Sequence, residues 1–210
     1  MDGAGKTTLM NKVREKLAEK GYSVATYKTP SDSPTGAFAK TYGNDPGVDP
    51  LTRMLLFLAN TSDDSKRMRE LVSEKTDFLF IDRYYLCSIV YGLAFLRTSG
   101  TQVGEEELET TIRLFEKLGE QVFLKPDLYV IVDAPEEDRV KRLKRKESQG
   151  GVESELERDL RMQNNVRFFY KAFAQLKDGQ VIWIMNLEGR LEESADRLSA
   201  EIISRARKVG

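Results

Sequence analysis

The sequence contains no histidine and only one cysteine, Cys87, among its 210 residues. Without histidine the chain cannot form a Ser-His-Asp or Cys-His catalytic arrangement, or a zinc site with imidazole ligands. One cysteine cannot form an internal disulfide, which favours a reducing compartment and predicts a cytoplasmic location. We interpret Cys87 as a small packed residue without a reactive role.

The sequence also lacks an excess of either charge and a long apolar run. It has 33 basic and 34 acidic residues, for a net charge of −1, whereas binders of nucleic acid or membrane surfaces usually carry net positive charge. No apolar stretch approaches the roughly 20 residues of a membrane-spanning helix, and we expect no signal peptide. We therefore expect no nucleic-acid or membrane partner. The length predicts a single domain, residues 1–210, with a full core.

The first eight residues, MDGAGKTT, match most of the phosphate-binding loop motif G-x-x-x-x-G-K-[ST]. Small residues let backbone N–H groups close around a phosphate, the lysine can reach the terminal phosphates, and the threonine hydroxyl can ligate Mg²⁺. Helical apolar spacing follows, so a helix N-terminus would point at the anion. The alternative is a chance G-K-T at a chain terminus. The predicted nucleotide-binding residues are Gly3, Ala4, Gly5, Lys6, Thr7 and Thr8.

Part of this motif would precede Met1. Counting back from Lys6 places the first glycine one residue before Met1, together with the strand that normally feeds such a loop. In a parallel sheet of this kind that strand lies at the centre, between the strands that end at Asp82 and Asp133. We therefore expect the first, central strand to be missing from the N-terminus, through a misassigned start site or a truncation, and two inner edges to be unpaired.

Apolar strand-like runs alternate with helical segments along the rest of the chain, as in a parallel sheet covered on both faces. The pattern predicts a three-layer α/β/α fold like that of P-loop nucleoside triphosphate hydrolases. Residues 78–81 are continuously apolar, as in a fully buried strand. The predicted strands are 22–27, 78–81, 128–132 and 181–185. The predicted helices are 9–17, 35–41, 51–75, 86–96, 104–121, 136–146, 153–176 and 191–207.

Two further segments have the residues expected of a phosphoryl-transfer site. Asp82 and Arg83 follow the strand 78–81, at the edge where open parallel sheets bind ligands. Asp82 can hold Mg²⁺ through water, and Arg83 can take a pair of phosphate oxygens; the alternative is a solvated strand end. A basic segment at about residues 139–155 could close as a lid over a nucleotide, although such a run is often only a solvated helix face. Phe57 could stack on a base or fill the core.

These motifs resemble the thymidylate kinase family of nucleoside monophosphate kinases, nearly from end to end. The matching positions are residues 2–8, Pro30, Gly36, 55–57, 82–84, Ser88, Tyr91, 125–128 and Arg142 with the lid. The resemblance implies an ATP-dependent kinase that converts dTMP to dTDP with Mg²⁺, and a homodimer with helices 51–75 and 86–121 as contact surfaces.

The resemblance also implies roles for individual residues. Asp2 would accept the sugar 3′-hydroxyl, Phe57 would stack on thymine, and Tyr91 would crowd the 2′ position and favour deoxyribose. The implied catalytic residues are Lys6, Asp82, Arg83, Arg142 and Arg145, of which Arg142 also lies against the donor adenine. The implied ligands of Mg²⁺ are Thr7 and Asp82. The implied substrate-binding residues are Asp2, Lys28, Phe57, Arg83 and Tyr91.

Four departures from the family pattern weaken the expectation of thymidylate specificity. Thr61 stands where many members have an arginine that hydrogen-bonds the thymine carbonyl, and a polar contact to a base edge discriminates better than stacking does. The second departure is Ser31 or Asp32 where some members have an arginine that binds the acceptor phosphate, which leaves Lys28 or Lys40 as substitutes. The third is Gly92 after Tyr91, where bacterial members commonly have glutamine. The fourth is Gly151-Val152-Glu153 in the lid, where the usual sequence is Arg-x-Glu.

Three functions therefore stay open at this point. The main prediction is phosphorylation of dTMP. The acceptor could instead be another pyrimidine monophosphate such as dUMP, or a nucleoside, for which Asp32 is a candidate base toward the 5′-hydroxyl. The third possibility is a nucleotide-binding paralogue without turnover. Product formation across a panel of acceptors separates the three.

Overall fold

The computed structural model describes residues 1–74, 76–148 and 159–209. Helices and short strands alternate through these residues. The strands are β1 (Val24–Lys28), β2 (Phe78–Asp82), β3 (Tyr129–Asp133) and β4 (Val181–Met185). The helices are α1 (Lys6–Glu19), α2 (Pro34–Thr41), α3 (Pro50–Ser73), α4 (Tyr85–Thr98), α5 (Glu105–Leu118), α6 (Glu136–Ser148), α7 (Leu160–Leu176) and α8 (Leu191–Val209).

The predicted elements are confirmed, with ends that shift by a few residues, except at the start of α7. We predicted a continuous helix over 153–176, but α7 begins at Leu160. Asp159 has an extended backbone and caps the helix, because its carboxylate accepts hydrogen bonds from the backbone N–H groups of Arg161 and Met162. Residues 153–158 of the predicted helix lie outside the described residues.

The four strands form two parallel pairs, β1 with β2 and β3 with β4. Within the described ranges, β2 and β3 each pair along one edge only. We expected residues 78–81 to be fully buried, which is wrong: they are half-buried, because a strand paired on one edge leaves the other open. Val130 of β3 is likewise 39% exposed.

Helices pack in two groups around these strands. Helix α1 packs on α8, while α3 packs on α4 and α4 on α7. Both α1 and α3 contact β2, as expected for strands covered by helices on two sides. Each helix in the described part of the chain is too short or too polar to cross a membrane. The fold is thus α/β with parallel strands, and the carboxyl ends of β2 and β3 flank the start of α1.

Candidate active site

The loop of residues 1–5 leads directly into α1, whose N-terminus therefore lies at the loop. Gly3 and Gly5 have φ angles of 73° and 78°, a conformation that glycine adopts without strain. Space is also limiting at both positions. A Cβ on Gly3 would lie 2.8 Å from Cγ of Arg139, and one on Gly5 would lie 2.7 Å from Nδ2 of Asn186. Both glycines are therefore required by conformation and by close packing.

The two predicted metal ligands lie together beside this loop. The hydroxyl of Thr7, in the first turn of α1, donates to Oδ2 of Asp82 at 2.9 Å. Asp82 ends β2 and is buried, whereas Thr7 is exposed. A hydroxyl oxygen and a carboxylate are ligands that Mg²⁺ prefers, and their contact at a phosphate-binding loop fits the expected ion.

Asp2, Arg83 and Tyr91 form a second group, called here the Asp2 cluster. Nη2 of Arg83 donates to Oδ1 of Asp2 at 2.7 Å, and the hydroxyl of Tyr91 donates to Oδ2 at 2.8 Å. The Arg83 guanidinium also lies 5.5 Å from the centre of the Tyr91 ring. The loop, the end of β2 and helix α4 thus meet at one carboxylate.

Arg83 reaches this carboxylate from an unusual backbone conformation. Its φ angle of 70° is positive, which no other non-glycine residue in the described ranges shows. Such a conformation costs about 1 kcal/mol or more. Nη1 of the same side chain donates to Sγ of Cys87 at 3.4 Å. The turn after β2 therefore directs the guanidinium toward the loop, at an energetic cost that its contacts offset.

The charges of the cluster determine which groups are ionised. Burial opposes ionisation of Asp2, but the adjacent cations of Arg83 and Lys6 hold the pKa of its carboxyl well below the usual range. Burial lowers the pKa of Lys6 and raises that of Tyr91. At neutral pH, Asp2 is therefore an ionised acceptor and Tyr91 a neutral donor.

Lys6 is folded back onto the loop. Its Nζ donates to the carbonyl of Met1 at 2.6 Å and lies 3.7 Å from Oδ1 of Asp2. The side chain is half-buried, and Thr8 in the same turn is exposed. The long lysine stem has rotatable bonds, so Nζ can exchange a carbonyl for a phosphate oxygen.

Helix α6 supports the loop through two arginines. Arg139 is fully buried, pairs with Glu136 at 2.9 Å and donates from Nη1 to the carbonyl of Asp2 at 3.0 Å. Arg142 donates from Nη1 to the carbonyl of Ala4 at 3.1 Å. The prediction that Arg139 belongs to a mobile lid is therefore wrong, because the side chain is buried and bonded to the loop.

The rest of the predicted lid is less closely tied to the loop. Arg145 is an exposed residue that pairs with Glu188 at 2.7 Å, and the same carboxylate also pairs with Arg142 at 3.2 Å. The structure thus places Arg142, but not Arg145, in contact with the loop. Residues 149–155 of the predicted lid lie outside the described residues.

The predicted base-binding residue Phe57 is half-buried in α3. Its ring approaches Gly43, where a Cβ would lie 3.2 Å from it. Thr61, one turn later, is buried and donates its hydroxyl to the carbonyl of Phe57 at 2.9 Å. Gly92 has a packing role, because a Cβ there would lie 2.6 Å from the Met54 side chain. This departure from the family pattern lets α3 and α4 approach closely.

The residues considered for the acceptor phosphate or as a base lie at the surface. Lys28 ends β1 opposite Asp82 in the strand register and is exposed. Asp32 is exposed and pairs with Lys40 at 2.6 Å, and this hydrogen bond lowers the pKa of its carboxyl. A weakly basic surface carboxylate is a poor candidate for activating a hydroxyl, so the structure does not favour the nucleoside kinase alternative.

Sequence reasoning assigned no role to two polar residues at the carboxyl ends of β3 and β4. Asn186 follows β4, and its Nδ2 donates to the carbonyl of Ala4 at 2.8 Å. Asp133, at the end of β3, accepts two hydrogen bonds of 3.0 Å from Arg167. The available signal was a polar residue directly after an apolar strand, the same signal that identified Asp82.

Known proteins with similar sequences are thymidylate kinases. A family model described as thymidylate kinase matches residues 1–196. Thymidylate kinase of Caldicellulosiruptor saccharolyticus is 34% identical over 146 residues, which cover 68% of this chain and 66% of the relative. The probable thymidylate kinase of Sulfurisphaera tokodaii is 30% identical over 160 residues, 74% of this chain and 71% of the relative.

A longer match is found with the thymidylate kinase of Chlamydia caviae. It is 25% identical over 202 residues, which cover 94% of this chain and 91% of the relative. The matched part thus spans about two thirds of the length of the relative with the highest of these identities, and nearly all of the Chlamydia protein. Because the family model covers all but the last 14 of the 210 residues, the chain belongs to the thymidylate kinase family.

Proposed function

We propose that the protein transfers the γ-phosphoryl group of ATP to dTMP and releases dTDP. The observation that carries this proposal is the Asp2 cluster, in which a phosphate loop, a strand-end arginine and a helix tyrosine meet within hydrogen-bond distance. Membership of the thymidylate kinase family supports dTMP as the acceptor. A nucleotide-binding role without turnover is not favoured, since the cations and hard oxygen ligands that such transfer needs are present.

The loop would bind the phosphates of ATP. Its residues precede a helix N-terminus, where backbone N–H groups and the helix dipole favour an anion. Lys6 would leave the Met1 carbonyl for a terminal phosphate oxygen, and Arg142 lies close enough to the loop to contribute positive charge on the donor side. Arg145 would contribute only if its pair with Glu188 opened.

The Asp2 cluster would hold the acceptor. Each carboxylate oxygen of Asp2 has two lone pairs, so Asp2 can accept a sugar hydroxyl while keeping its bonds to Arg83 and Tyr91. The guanidinium of Arg83 has further N–H donors for the acceptor phosphate. Because that phosphate is already anionic, its attack on the γ-phosphorus needs orientation and charge neutralisation more than a general base.

Thr7 and Asp82 would hold Mg²⁺, the hydroxyl directly and the carboxylate through water. Their contact at 2.9 Å supports this assignment. The ion would supply positive charge next to the transferring phosphoryl group. Within the chain, the task of these two residues is to fix that charge beside the loop.

Substitution of Lys6 by methionine tests the proposal. We expect Lys6→Met to lower kcat for ATP-dependent dTDP formation by roughly 100-fold or more, since a positioned charge on the developing anion is removed. Lys12→Met is the matched control, because Lys12 lies six residues further along the same helix and pairs with Glu192 of α8; the kcat of this variant should equal that of the wild type. Unchanged dTDP formation by Lys6→Met would contradict the proposal.

A panel of acceptors tests the substrate. Coupled assays with dTMP, dUMP, dCMP and thymidine should give the highest kcat/KM with dTMP. If another monophosphate gave a higher kcat/KM, that nucleotide and not dTMP would be the acceptor. Thermal stabilisation by dTMP without any product would instead identify a binding protein.

The central strand predicted between β2 and β3 stays a proposal. Both strands have an unpaired edge in the described part of the chain, and the nitrogen of Met1 donates to the carbonyl of Val132 at 2.9 Å, at the end of β3. A further parallel strand between β2 and β3 would pair with both of these edges. An in-frame stop codon immediately upstream in the genomic DNA would contradict this proposal.

The homodimer also stays a proposal, as do the single domain and the cytoplasmic location. Exposed apolar side chains on the predicted contact helices support a dimer: Leu51 and Leu55 on α3, and Leu114 and Leu118 on α5. Light scattering during gel filtration would measure the mass, and a monomer at micromolar concentration would contradict a dimer.

A further inference from the structure

The face of α3 that carries Phe57 offers a base no hydrogen-bond donor at its C-terminal end. Residues 53, 57 and 61 are spaced by four and share one side of the helix. Thr61, on this side, is fully buried, and its hydroxyl already donates to the carbonyl of Phe57 at 2.9 Å. A base stacked on Phe57 would therefore find no donor at position 61.

The N-terminal end of the same face has a cation. The guanidinium of Arg53 lies 5.8 Å from the ring centre of Phe57 and 5.8 Å from that of Phe95 in α4. Its Nη2 donates to Oδ1 of Asn44 at 2.8 Å. The side chain is half-buried, and burial lowers the pKa of its guanidinium while the charge of Asp2 acts in the opposite direction. Arg53 is thus located between two aromatic rings and within electrostatic reach of the Asp2 cluster.

Arg53 has unused hydrogen-bonding capacity. A guanidinium has five N–H donors, and among the described residues only Asn44 accepts from this one. No carboxylate in the described ranges forms an ion pair with it, whereas Arg83, Arg139, Arg142 and Arg167 all pair with acidic residues. The remaining N–H donors of this half-buried cation are therefore available to acceptor atoms of a ligand.

The surroundings of Arg53 determine which kind of hydrogen-bond acceptor can reach it. In the proposed function the loop and Arg83 bind phosphate oxygens, whereas Arg53 lies beside two apolar rings. A flat heterocycle can stack on Phe57 and present a carbonyl oxygen at its edge to the planar guanidinium. Thymine has a carbonyl at its 4-position, while cytosine has an amino group there, which is a donor that cannot pair with another donor.

We propose that Arg53, oriented by Asn44, donates to the 4-carbonyl of the acceptor base stacked on Phe57 and selects a keto pyrimidine over an amino pyrimidine. This inference rests on the proposed function, since it requires a pyrimidine nucleotide as the acceptor. It identifies a residue for base choice in a chain whose position 61 cannot provide one.

The test is Arg53→Met, which keeps a long apolar side chain but removes every N–H donor. Calorimetry would measure the Kd of dTMP and dCMP, and coupled assays would measure kcat and KM with ATP. We expect the Kd and KM for dTMP to rise roughly 10- to 100-fold, with little change for dCMP and a smaller change in kcat. The preference for dTMP over dCMP should shrink by the same factor.

Arg97→Met is the matched control. Arg97 is half-buried in α4, and its guanidinium lies 4.2 Å from the ring centre of Phe168, a similar aromatic contact outside the candidate site. Its preference for dTMP over dCMP should equal that of the wild type. Asn44→Ala is a second variant. Because Asn44 is exposed, we expect the variant to fold as the wild type does and to reduce the preference severalfold.

Binding of thymidine distinguishes base recognition from phosphate recognition. If Arg53 reads the base, Arg53→Met weakens thymidine and dTMP by the same factor. If thymidine binding is unchanged, or if dTMP and dCMP weaken equally, the inference is overturned. Absence of dTDP formation by the wild type would refute the proposed function as well, whereas wild-type turnover with unchanged base preference in Arg53→Met would refute only the role of Arg53.

Discussion

The phosphate loop and the Phe57 face of α3 are held in different ways. Charged and polar side chains from α6 and from the end of β4 bond the loop carbonyls, and Arg139 does so from a fully buried position. On α3, Phe57 and Arg53 have aromatic neighbours and one hydrogen bond to Asn44. The loop is thus fixed before any ligand arrives, whereas the α3 face keeps donors available. Substitutions in the two regions should therefore have different consequences.

The largest effect should follow from removing the buried support of the loop. Arg139→Met leaves the Asp2 carbonyl without its donor and Glu136 without its cation. We expect the free energy of unfolding to fall by about 3 kcal/mol, measured by urea denaturation, and kcat to fall with it. Arg113→Met is the control, because Arg113 is an exposed arginine that pairs with Glu109; it should change stability by less than about 0.5 kcal/mol. Equal stability of the two variants would contradict a supporting role for Arg139.

A smaller effect should appear in the dependence of stability on pH. The pKa of Asp2 is lower in the folded protein than in the unfolded chain, because Arg83 and Lys6 stabilise its charge. Its contribution is therefore fully present above the unfolded pKa of about 3.9 and is lost as the pH falls toward the lower, folded value.

Asp2→Asn removes this contribution while keeping the shape of the side chain. The wild type should exceed Asp2→Asn in free energy of unfolding at pH 6, and the difference should shrink as the pH falls below about 3.9. Urea denaturation at a series of pH values measures both quantities. A difference that stays constant down to pH 2 would show that the charge of Asp2 is not stabilised by folding.

The smallest effect should come from Phe57 on the α3 face. Phe57→Leu keeps an apolar side chain but removes the aromatic face, and stacking contributes about 1 kcal/mol beyond area burial. We expect the KM for dTMP to rise roughly fivefold with kcat and thermal stability nearly unchanged. Steady-state kinetics and a melting curve check both parts. A large loss of stability would instead make Phe57 a core residue and remove the contrast between the two regions.

Local chemistry explains what the sequence could predict. The loop motif, the apolar strands and the polar residues that end them are encoded within short segments, so Thr7 and Asp82 were expected to meet and do so. The same pattern of a polar residue after an apolar strand is present at Asp133 and Asn186, which follow the predicted strands 128–132 and 181–185. Helix positions followed from periodicity, with their ends set by caps such as Asp49 and Asp159.

Long-range packing explains what it could not predict. The basic run in α6 is equally compatible with a solvated face, a lid or a support, and only the three-dimensional contact of Arg139 with Asp2, 137 positions away, decides between them. The exposure of β2 depends on which strands lie beside it, which an apolar pattern does not specify. The location of Arg53 between rings of two different helices is likewise a property of how α3 and α4 pack.

The contact between Gly92 and Met54 has a mechanical consequence. The Met54 side chain of α3 packs directly on Gly92 of α4, where no Cβ keeps the two helices apart. Gly92 directly follows Tyr91, and Met54 directly follows Arg53. The side chains proposed to bind the base and the sugar therefore lie next to the same close contact between α3 and α4. We expect a shift of α3 that accommodates a different base to displace Tyr91 as well, so that changes in base and sugar recognition are coupled.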